Sequence, residues 1–491
     1  MRTDTVFTLY LPGATDHQQS KKHCTAGDTS VANRSQRPTP NVLWWTSFTG
    51  ETGNWRTCGE QTCFFTENRT YLSHPKTKAV VFYGSSFAPL DLPIPRQPWH
   101  DWALLHEESP KNNPSFCYQP LISLFNYTAT WSRKSSFPLT LLSLPKLRDI
   151  TDKKYFVSVS DKNALLAREG LSPVVYVQSS CDAPSERDLY VAALQKFIDV
   201  DSYGKCLNNK RLPPHLENPA DAMNNEEFLR LMARYKFTIA FENAVGEDYI
   251  TEKLWRPLTL GSVPIYLGSP SVQDWAPNNN SVLSVWDFTS PESLADHLYY
   301  LNSDDAAYNS MLVHKTQGTV ENRILTDAMN SRTWTAGGED DDFEKENFVE
   351  SFECFLCSEI HRKQSEEDAG YSSRPNSVDT THYSCPPPIH PVTRKVNPDS
   401  WWLEHWNHAR AEANVIGRFA QRNLNYTSDE YHQSGVNPPY KCVVPTGRGG
   451  TNRNVGRDES WTCQKRLVRY ICSSLFSYSF PPFFFIYSST R

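Results

Sequence analysis

Two adjacent carboxylates follow a short apolar segment in the sequence WHDWALLHEESP, residues 99–110. Leu104 and Leu105 form the apolar centre of that segment, and Glu107 and Glu108 lie just beyond it. Adjacent glutamates are typical of a solvated surface. In sugar transfer to a hydroxyl, one such carboxylate can instead act as the general base that takes the hydroxyl proton. An inverting transferase needs one such carboxylate and forms no covalent intermediate.

A second group of candidate residues lies in YKFTIAFENAVGEDYITEKLWRPLTLGSVPIYLGSP, residues 235–270. The pattern predicts a buried strand over 236–241, a polar loop, a short helix, and a second strand over 262–267. Strand, helix and parallel strand form the unit of nucleotide-binding α/β domains. Such domains bind their ligands beyond the carboxyl ends of the strands.

The helix of this unit is predicted to begin after Thr251, which suits an N-cap, and to end at Gly261. Pro257 predicts a kink or an early stop. Lys253 lies in the first turn, where a helix amino terminus and a nearby cation together suit a diphosphate. A lysine that forms a structural salt bridge is the alternative.

A third candidate is Arg187, which lies in a helix predicted to follow the loop at 178–184. Ser185 and Asp188 have the spacing of a helix cap. Arginine is disfavoured in a first turn by the helix dipole, so a bound diphosphate would explain it; an exposed arginine without a ligand is the alternative. The predicted apolar face of the helix consists of Leu189, Ala192, Ala193 and Phe197. The flanking loops hold two further candidates for lining a nucleotide, Ser179 and Tyr203.

The composition excludes some classes of function and favours one compartment. The 491 residues carry a formal net charge of −6 and no long basic run, which gives no support for a nucleic-acid partner. Twelve cysteines and five Asn-x-Ser/Thr sequons fit an oxidising secretory compartment. The candidate N-glycosylation sites are Asn33, Asn68, Asn126, Asn279 and Asn425.

Several segments lack a clear structural pattern. No apolar run reaches the roughly 18 residues of a membrane span, and the amino terminus lacks the apolar core of a signal peptide. The apolar stretch 475–487 is broken by two prolines and suggests a buried or spurious segment. Residues 365–398 are polar and proline-rich, which predicts a mobile segment, whereas 401–419 predicts an amphipathic helix. Nothing in 433–491 has a recognisable pattern.

The Cys354-x-x-Cys357 pair permits two interpretations. Together with Cys58 and Cys63, predicted to lie in a loop, and with His361 nearby, it could bind zinc. Alternatively, the four cysteines form two disulfides that tie the end of one domain to the amino-terminal domain. The oxidising compartment favours the disulfides.

Two further features concern crosslinks and metals. Cys181 and Cys206 could form a third bridge across the helix that contains Arg187. The acidic run EDDD at 339–342 has the composition of a metal-binding Asp-x-Asp pair, but no strand precedes it, so a solvated loop is predicted and no metal site is expected.

Several stretches resemble the alpha-1,3/4-fucosyltransferase family. The strongest is FEN, then DYITEKLW, then GSVPIYLGSP within 235–270. HEESP at 106–110 and LFN at 124–126 follow the family's order. FECFLC at 352–357 favours the branch numbered ten and eleven. The resemblance covers about 41–365.

This resemblance implies an α/β fold with two Rossmann-like domains that face a cleft, the GT-B arrangement. The implied division of the chain is 1–40 as a disordered or residual stem, 41–150 as the acceptor-binding domain, 170–345 as the GDP-fucose-binding domain, 346–365 as a segment returning to the first domain, and 366–491 as an extension.

The resemblance also assigns roles to the candidate residues. The family places its base in a Glu-Ser-Pro element, which implies Glu108 as the base and Glu107 as the fallback. Arg187 and Lys253 would neutralise the diphosphate, as the family's phosphate-binding residues do. Three residues would hold the guanosine ribose or the fucose, namely Asn243, Tyr249 and Glu252. The resemblance implies GDP-fucose as donor substrate. Because the family needs no metal, no cofactor is expected.

The first expectation is an inverting fucosyltransferase that transfers fucose with alpha-1,3 linkage to a glycan of a glycoprotein, and two alternatives are kept beside it. A glycan alpha-1,3-fucosyltransferase and a protein O-fucosyltransferase acting on Ser or Thr would share the donor site, whereas a catalytically silent lumenal protein would need a broken catalytic set. Arg133 and Lys134 could contact substrate or form a surface turn. The family resides in the Golgi or endoplasmic reticulum as type II membrane proteins, and the expected amino-terminal anchor is not seen in this sequence.

Overall fold

The computed structural model describes residues 38–48, 53–218, 223–336, 345–372, 376–434 and 436. The predicted acidic run at 339–342, the sequon at Asn33 and the tail beyond 436 lie outside these residues. Among the helices of the described part, none is both long enough and apolar enough to cross a membrane. All described residues from Thr39 onward belong to one compact unit.

The first sheet has seven strands in the order β2-β3-β1-β4-β5-β6-β7. Only the β2–β3 hairpin is antiparallel; the other neighbours are parallel. Apolar runs such as AVVFY suit parallel strands that are buried on both faces. The strands are β1 Asn41–Thr46, β2 Asn54–Cys58, β3 Gln61–Thr66, β4 Thr77–Tyr83, β5 Asp101–His106, β6 Tyr127–Thr130 and β7 Phe137–Pro138.

The second sheet is entirely parallel and has the order β12-β11-β10-β8-β9. The central strands of each sheet are almost entirely apolar, and helices pack against the sheets. The fold class predicted from the sequence, a two-sheet Rossmann-like α/β fold of the GT-B type, is confirmed. The strands are β8 Val174–Gln178, β9 Val200–Gly204, β10 Phe237–Phe241, β11 Val263–Leu267 and β12 Leu283–Ser284.

The helices lie mainly around the second sheet and at the carboxyl end of the chain. The α-helices are α1 Gln119–Ile122, α2 Leu147–Thr151, α3 Val159–Glu169, α4 Arg187–Leu194, α5 Glu226–Met232, α6 Glu252–Leu260, α7 Pro291–Ser303, α8 Asp305–Ser310, α9 Val313–Thr316, α10 Arg323–Ser331, α11 Phe348–Asp368, α12 Trp401–Gln421 and α13 Ser428–Gln433. The 3-10 helices are Arg69–Ser73, Gly84–Ser86, Pro114–Cys117, Pro214–Leu216, Val272–Asp274, Val285–Asp287 and Thr380–His382.

Helix α6 follows the sequence prediction except at its proline. The Thr251 side chain accepts a hydrogen bond from the Lys253 amide, and Gly261 ends the helix with a φ of 69°. Pro257 causes no early stop, because the helix continues to Leu260. Burial of the apolar face around Leu254 and Leu258 outweighs the one main-chain hydrogen bond that proline removes.

Helix α4 differs from the prediction in its start and in its buried face. It begins at Arg187, with Glu186 as N-cap at a φ of 47°, so Ser185 is not the cap. The Asp188 carboxylate accepts a hydrogen bond from the Tyr176 hydroxyl instead of closing a capping box. The predicted apolar face is wrong, since Leu189 is 46% exposed and Phe197 is 40% exposed. The buried residues are Arg187, Tyr190, Val191 and Leu194.

Within the described residues, four disulfides crosslink the chain. Cys58 pairs with Cys354 and Cys63 with Cys357, which joins the β2–β3 hairpin to α11. The prediction that Cys58 and Cys63 lie in a loop is wrong, because both belong to the hairpin strands. The predicted Cys181–Cys206 bridge is present. A fourth bridge, Cys117–Cys385, was not predicted.

Residues 376–434 form a strap that packs on both sheets. The mobile segment predicted over 365–398 is wrong for the described part of that range, whereas the helix predicted over 401–419 is confirmed as α12. Tyr383 is fully buried, with its ring 4.3 Å from that of Trp131 beyond β6. The Ser384 carbonyl accepts from the Glu247 amide at 3.0 Å, in the loop after β10. Helix α12 then packs on α1, where Tyr118 donates to the Trp406 carbonyl at 2.9 Å.

Candidate active site

The first candidate element is the base loop, residues 107–112, which follows β5 at the carboxyl edge of the first sheet. The Glu108 side chain is exposed there, and its Oε2 accepts a hydrogen bond from Asn112 Nδ2 at 3.1 Å. Desolvation raises the pKa of Glu108, while the charge of Lys253 acts in the opposite direction. Glu108 therefore interacts electrostatically with the second sheet's site although it is carried by the first.

Glu107 has different surroundings. Its Oε1 accepts from the Tyr83 hydroxyl at 3.1 Å, and its Oε2 is buried without a hydrogen-bond partner in the described residues. Burial, reinforced by the charge of Glu108, raises the pKa of Glu107 to about 7. The two neighbouring carboxylates are thus distinct in exposure and in the charges that they sense.

His106 is the last residue of β5 and directly precedes the base loop. It is fully buried and lies among aromatic rings, with Tyr383 at 5.4 Å and Phe116 at 5.9 Å between ring centroids. Burial lowers the pKa of His106 to about 3, so the ring is neutral. Gly84 leaves room for this ring, since a side-chain carbon at that position would lie 2.4 Å from His106 Nδ1.

The second candidate element is the donor loop, residues 242–251, which joins β10 to α6. Glu242 is buried at the end of β10, where its carboxylate accepts from the Thr251 amide and hydroxyl, both at 2.8 Å. Burial raises the pKa of Glu242, and Lys253 opposes that shift. Lys253 Nζ lies 3.7 Å from Glu242, so the buried carboxylate fixes the helix cap and orients the lysine.

Lys253 and Glu252 form a half-exposed pair at the amino terminus of α6. Lys253 Nζ donates to Glu252 Oε1 at 2.9 Å and to Thr251 Oγ1 at 3.1 Å. Burial alone would raise the pKa of Glu252, but the charges of Lys253 and Arg256 lower it to about 2. Glu252 is therefore an anion across the neutral range. Lys253 lies beside it at the helix amino terminus, an arrangement that suits a phosphate and a sugar hydroxyl.

Arg187 lies at the same edge of the second sheet but is 1% exposed. Its guanidinium donates to the Phe241 carbonyl at 2.9 Å and to the Ser180 carbonyl at 2.7 Å, and its buried Nε has no partner among the described residues. The arginine thus holds the ends of two neighbouring strands together. Its predicted contact with a diphosphate stays a prediction.

The base loop and the donor loop meet directly. Ser109 Oγ donates to Asn243 Oδ1 at 2.6 Å, and the Tyr249 hydroxyl donates to the same oxygen at 3.3 Å. Tyr249 is buried against Trp131, with ring centroids 5.2 Å apart. The structure therefore brings Glu108, Asn243, Tyr249, Glu252 and Lys253 to one cleft.

Other predicted residues lie elsewhere or in different surroundings. Tyr203 was predicted in a loop but belongs to β9, where it is buried and its hydroxyl pairs with that of Tyr235 at 2.9 Å. Ser179 is half-buried in the loop after β8. Arg133 binds Asp248 and Asp274, as described below, instead of forming a free surface turn.

The sequons also differ in accessibility. Asn126 is buried, and its side-chain oxygen accepts from the Trp102 amide at 2.9 Å and from Arg96. Its burial counts against a glycan on the folded protein, and N-glycosylation at Asn126 stays a prediction. Asn68, Asn279 and Asn425 are exposed and stay candidates.

The zinc alternative for the cysteines is also overturned. In the part of the chain that the structure describes, the two clusters with ligand-like spacing are Cys63–Cys357–His361 and Cys181–Asp188–Cys206. Both contain cysteines that are joined in disulfides. A disulfide sulfur is not the thiolate that zinc requires.

Sequence reasoning missed three residues that build the cleft. Glu242 was visible only as the middle letter of FEN, Ser109 as the middle letter of Glu-Ser-Pro, and Asp248 as part of a charged turn. Ser109 and Asp248 have partners that belong to the other sheet, and Glu242 has its partner at the far end of its own loop. Nothing local in the sequence marks these partners. Their roles depend on contacts that only the fold creates.

Comparison with known proteins identifies the class to which this site belongs. The family model described as glycosyltransferase family 10 (fucosyltransferase), C-term, matches residues 168–373, and the model described as fucosyltransferase, N-terminal, matches residues 37–141. The two matches cover the second and first sheets respectively. The chain therefore belongs to glycosyltransferase family 10, the fucosyltransferases.

Individual relatives are similar over most of their length. GDP-fucose protein O-fucosyltransferase 3 of Bos taurus is 45% identical over 397 residues, 80% of this chain and 82% of that protein. The protein of the same name from Homo sapiens is 44% identical over 398 residues, with the same coverage. A crystal structure of an alpha1,3-fucosyltransferase with GDP aligns with a TM-score of 0.35 and 17% identity, covering 66% of this chain and 91% of that one.

Proposed function

We propose that this fucosyltransferase moves L-fucose from GDP-β-L-fucose to a Ser or Thr hydroxyl of a folded secreted protein module. The observation that carries the acceptor class is the identity of 44–45% with proteins named GDP-fucose protein O-fucosyltransferase 3. It favours a protein acceptor over the glycan acceptor with alpha-1,3 linkage, which was the first expectation from the sequence.

The arrangement of Glu108 supports its role as the base. The acceptor hydroxyl attacks the anomeric carbon, the bond from that carbon to the β-phosphate oxygen breaks, and the electron pair leaves with GDP. Glu108 takes the hydroxyl proton. Attack from the face opposite GDP converts the β-linked donor to an α-linked product. Glu108 is the exposed member of the pair and senses the charges of Lys253 and Glu252.

Lys253 and the amino terminus of α6 would hold the diphosphate and stabilise the charge that develops on GDP. This electrostatic stabilisation replaces what a metal ion supplies in other glycosyltransferases, so we propose a metal-independent reaction. Glu252 and Asn243 would bind ribose or fucose hydroxyls. Arg187 would contribute its positive charge from its buried position at the edge of the second sheet. It would contact a phosphate directly only if its hydrogen bonds to the main-chain carbonyls open.

The crosslinks support the proposed compartment. Four disulfides require an oxidising environment, which fits the lumen of the Golgi or endoplasmic reticulum and a secreted acceptor.

Transfer from labelled GDP-fucose to a panel of acceptors tests the proposal. The panel contains disulfide-bonded secreted modules, the same modules after reduction and unfolding, and N-glycans on a carrier protein. We expect label on the folded modules only, released by alkaline β-elimination and resistant to removal of N-glycans. Label found only on N-glycans would instead establish the glycan alternative.

A further inference from the structure

A hydrogen bond between Ser109 and Asn243 links the base loop to the donor loop. The two residues are 134 positions apart in sequence, and their side-chain oxygens are 2.6 Å apart. Ser109 is 2% exposed and directly follows Glu108. Its Oγ also accepts from the Lys111 amide at 3.1 Å, which closes the base loop into a turn and directs the hydroxyl proton at Asn243.

Asn243 is itself held in place. Its carbonyl accepts from the Ser185 amide at 3.0 Å, and its side-chain oxygen also accepts from Tyr249 at 3.3 Å. The link therefore ends on a residue anchored at two further points in the second sheet's site. The Glu108 carboxylate, in contrast, is held within its own loop, where it accepts a hydrogen bond from Asn112 Nδ2 at 3.1 Å.

We propose that Ser109 is a positioning residue, which holds the Glu108 carboxylate at a fixed distance from the donor through its hydrogen bond to Asn243. The proposal rests on the proposed function, in which Glu108 is the base and the donor lies on the second sheet. Base, acceptor hydroxyl and anomeric carbon belong to separate parts of the cleft and must align. A displacement of about 1 Å in such an alignment can cost roughly 10²-fold in rate.

Ser132 provides a matched control. It is fully buried, its Oγ accepts from the amide two residues on, Lys134, at 3.1 Å, and it donates to the Thr381 carbonyl at 2.7 Å. Ser132 thus has the same turn and the same number of hydrogen bonds as Ser109, but its hydroxyl binds the strap and not the donor loop. Alanine at either position removes one buried hydroxyl, so the two variants should lose similar stability.

The test compares Ser109→Ala, Ser132→Ala and Ser109→Thr in the full chain. We expect Ser109→Ala to lower kcat about 10- to 100-fold with the KM for GDP-fucose changed less than about threefold. Ser109→Thr keeps the hydroxyl and should recover most of kcat, and Ser132→Ala should leave kcat unchanged. Equal kcat in Ser109→Ala and Ser132→Ala would overturn the proposal. Ser109→Cys, which keeps the volume, replaces the alanine variant if that variant does not fold.

A double-mutant cycle with Asn243→Ala examines the link itself. At saturating GDP-fucose, the loss of kcat caused by Asn243→Ala should be smaller in Ser109→Ala than in the wild type, because the link contributes to the loss only where Ser109 is present. Fully multiplicative losses would show that the two residues act independently. Hydrogen exchange gives a readout that needs no acceptor. Exchange in residues 106–113 should rise in Ser109→Ala but not in Ser132→Ala, and unchanged exchange in Ser109→Ala would contradict the link. A wild-type protein that transfers no fucose would instead count against the proposed function, and it would leave the exchange result valid.

Discussion

At the scale of single residues, the two adjacent glutamates should respond differently to substitution. Glu108→Gln removes the proposed base, for which we expect a fall in kcat of roughly 10²–10⁴-fold. Glu107→Gln keeps the hydrogen bond from Tyr83 possible through its amide oxygen and should reduce kcat less than about tenfold. Initial rates of fucose transfer at saturating substrates check this. A larger loss for Glu107→Gln than for Glu108→Gln would move the base to Glu107.

Glu107 should also make stability depend on pH. Burial raises its pKa in the folded protein to about 7, above the value of about 4.5 that the exposed group has. A raised carboxyl pKa means that the folded state binds the proton more tightly than the unfolded state. The contribution of protonated Glu107 to the free energy of unfolding is therefore fully present below about pH 4.5 and is lost as pH rises through 7. The melting temperature of Glu107→Gln, measured relative to wild type, should therefore rise between pH 5 and pH 8. A difference that stays constant with pH would refute this assignment.

At the scale of elements, local signals predicted α6 and misled the prediction of α4. Thr251 and Gly261 mark the ends of α6, and these caps act through neighbouring residues only, so sequence suffices. In α4 the Ser185 hydroxyl donates to the Glu242 carbonyl instead of capping the helix. Arg187 turns inward to main-chain carbonyls, which rotates the buried face away from Leu189. Such long-range contacts are invisible to helical periodicity.

The paired disulfides between the β2–β3 hairpin and α11 should act cooperatively. Cys58–Cys354 and Cys63–Cys357 close almost the same long loop, with separations of 296 and 294 residues. With one bridge present, the other closes only roughly eight further residues and contributes about 2–3 kcal/mol, whereas the first closes a much larger loop. Replacing both pairs by serine should therefore destabilise the protein by more than the sum of the two single-pair replacements. Denaturant unfolding of the three variants measures this, and additive losses would contradict it.

At the scale of the whole molecule, sequence predicted the helix of the strap over 401–419 but missed that the strap at 376–434 packs on both sheets. Its polar, proline-rich beginning has no periodicity, so composition favours mobility. In the fold, the Cys117–Cys385 bridge and the buried ring of Tyr383 anchor it beside the base loop. Asn397 Nδ2 donates to Glu186 at 3.0 Å near the second sheet. The strap thus contacts both halves of the cleft, a property that depends on tertiary packing alone.

An ion pair between Arg133 and Asp248 also joins elements of the two sheets, in addition to the Ser109–Asn243 contact. Asp248 is 1% exposed and accepts from the Arg133 main-chain amide at 3.0 Å and from the guanidinium Nη2 at 2.6 Å. Trp275 Nε1 donates to the same carboxylate at 2.9 Å. Although burial acts to raise it, the pKa of Asp248 is lowered by these hydrogen bonds. The carboxylate is therefore charged throughout the neutral range and depends on Arg133 for compensation.

Arg133→Ala should consequently destabilise the whole molecule, because it leaves a buried charge without its cation. We expect a loss of about 3 kcal/mol in the free energy of unfolding at pH 7. Lys134→Ala, a neighbouring change that removes a cation without this ion pair, is the control and should cost much less. The pKa of Asp248 is lowered in the folded state, so the ion pair adds to the free energy of unfolding above the carboxyl's ordinary pKa of 3.8. This stabilisation is lost as the pH falls below that value. The difference in free energy of unfolding between Arg133→Ala and wild type should therefore shrink at acid pH. Urea unfolding at pH 7 and at pH 3 checks both statements. If Arg133→Ala loses no more free energy of unfolding than Lys134→Ala at pH 7, the sheets are held together without this ion pair.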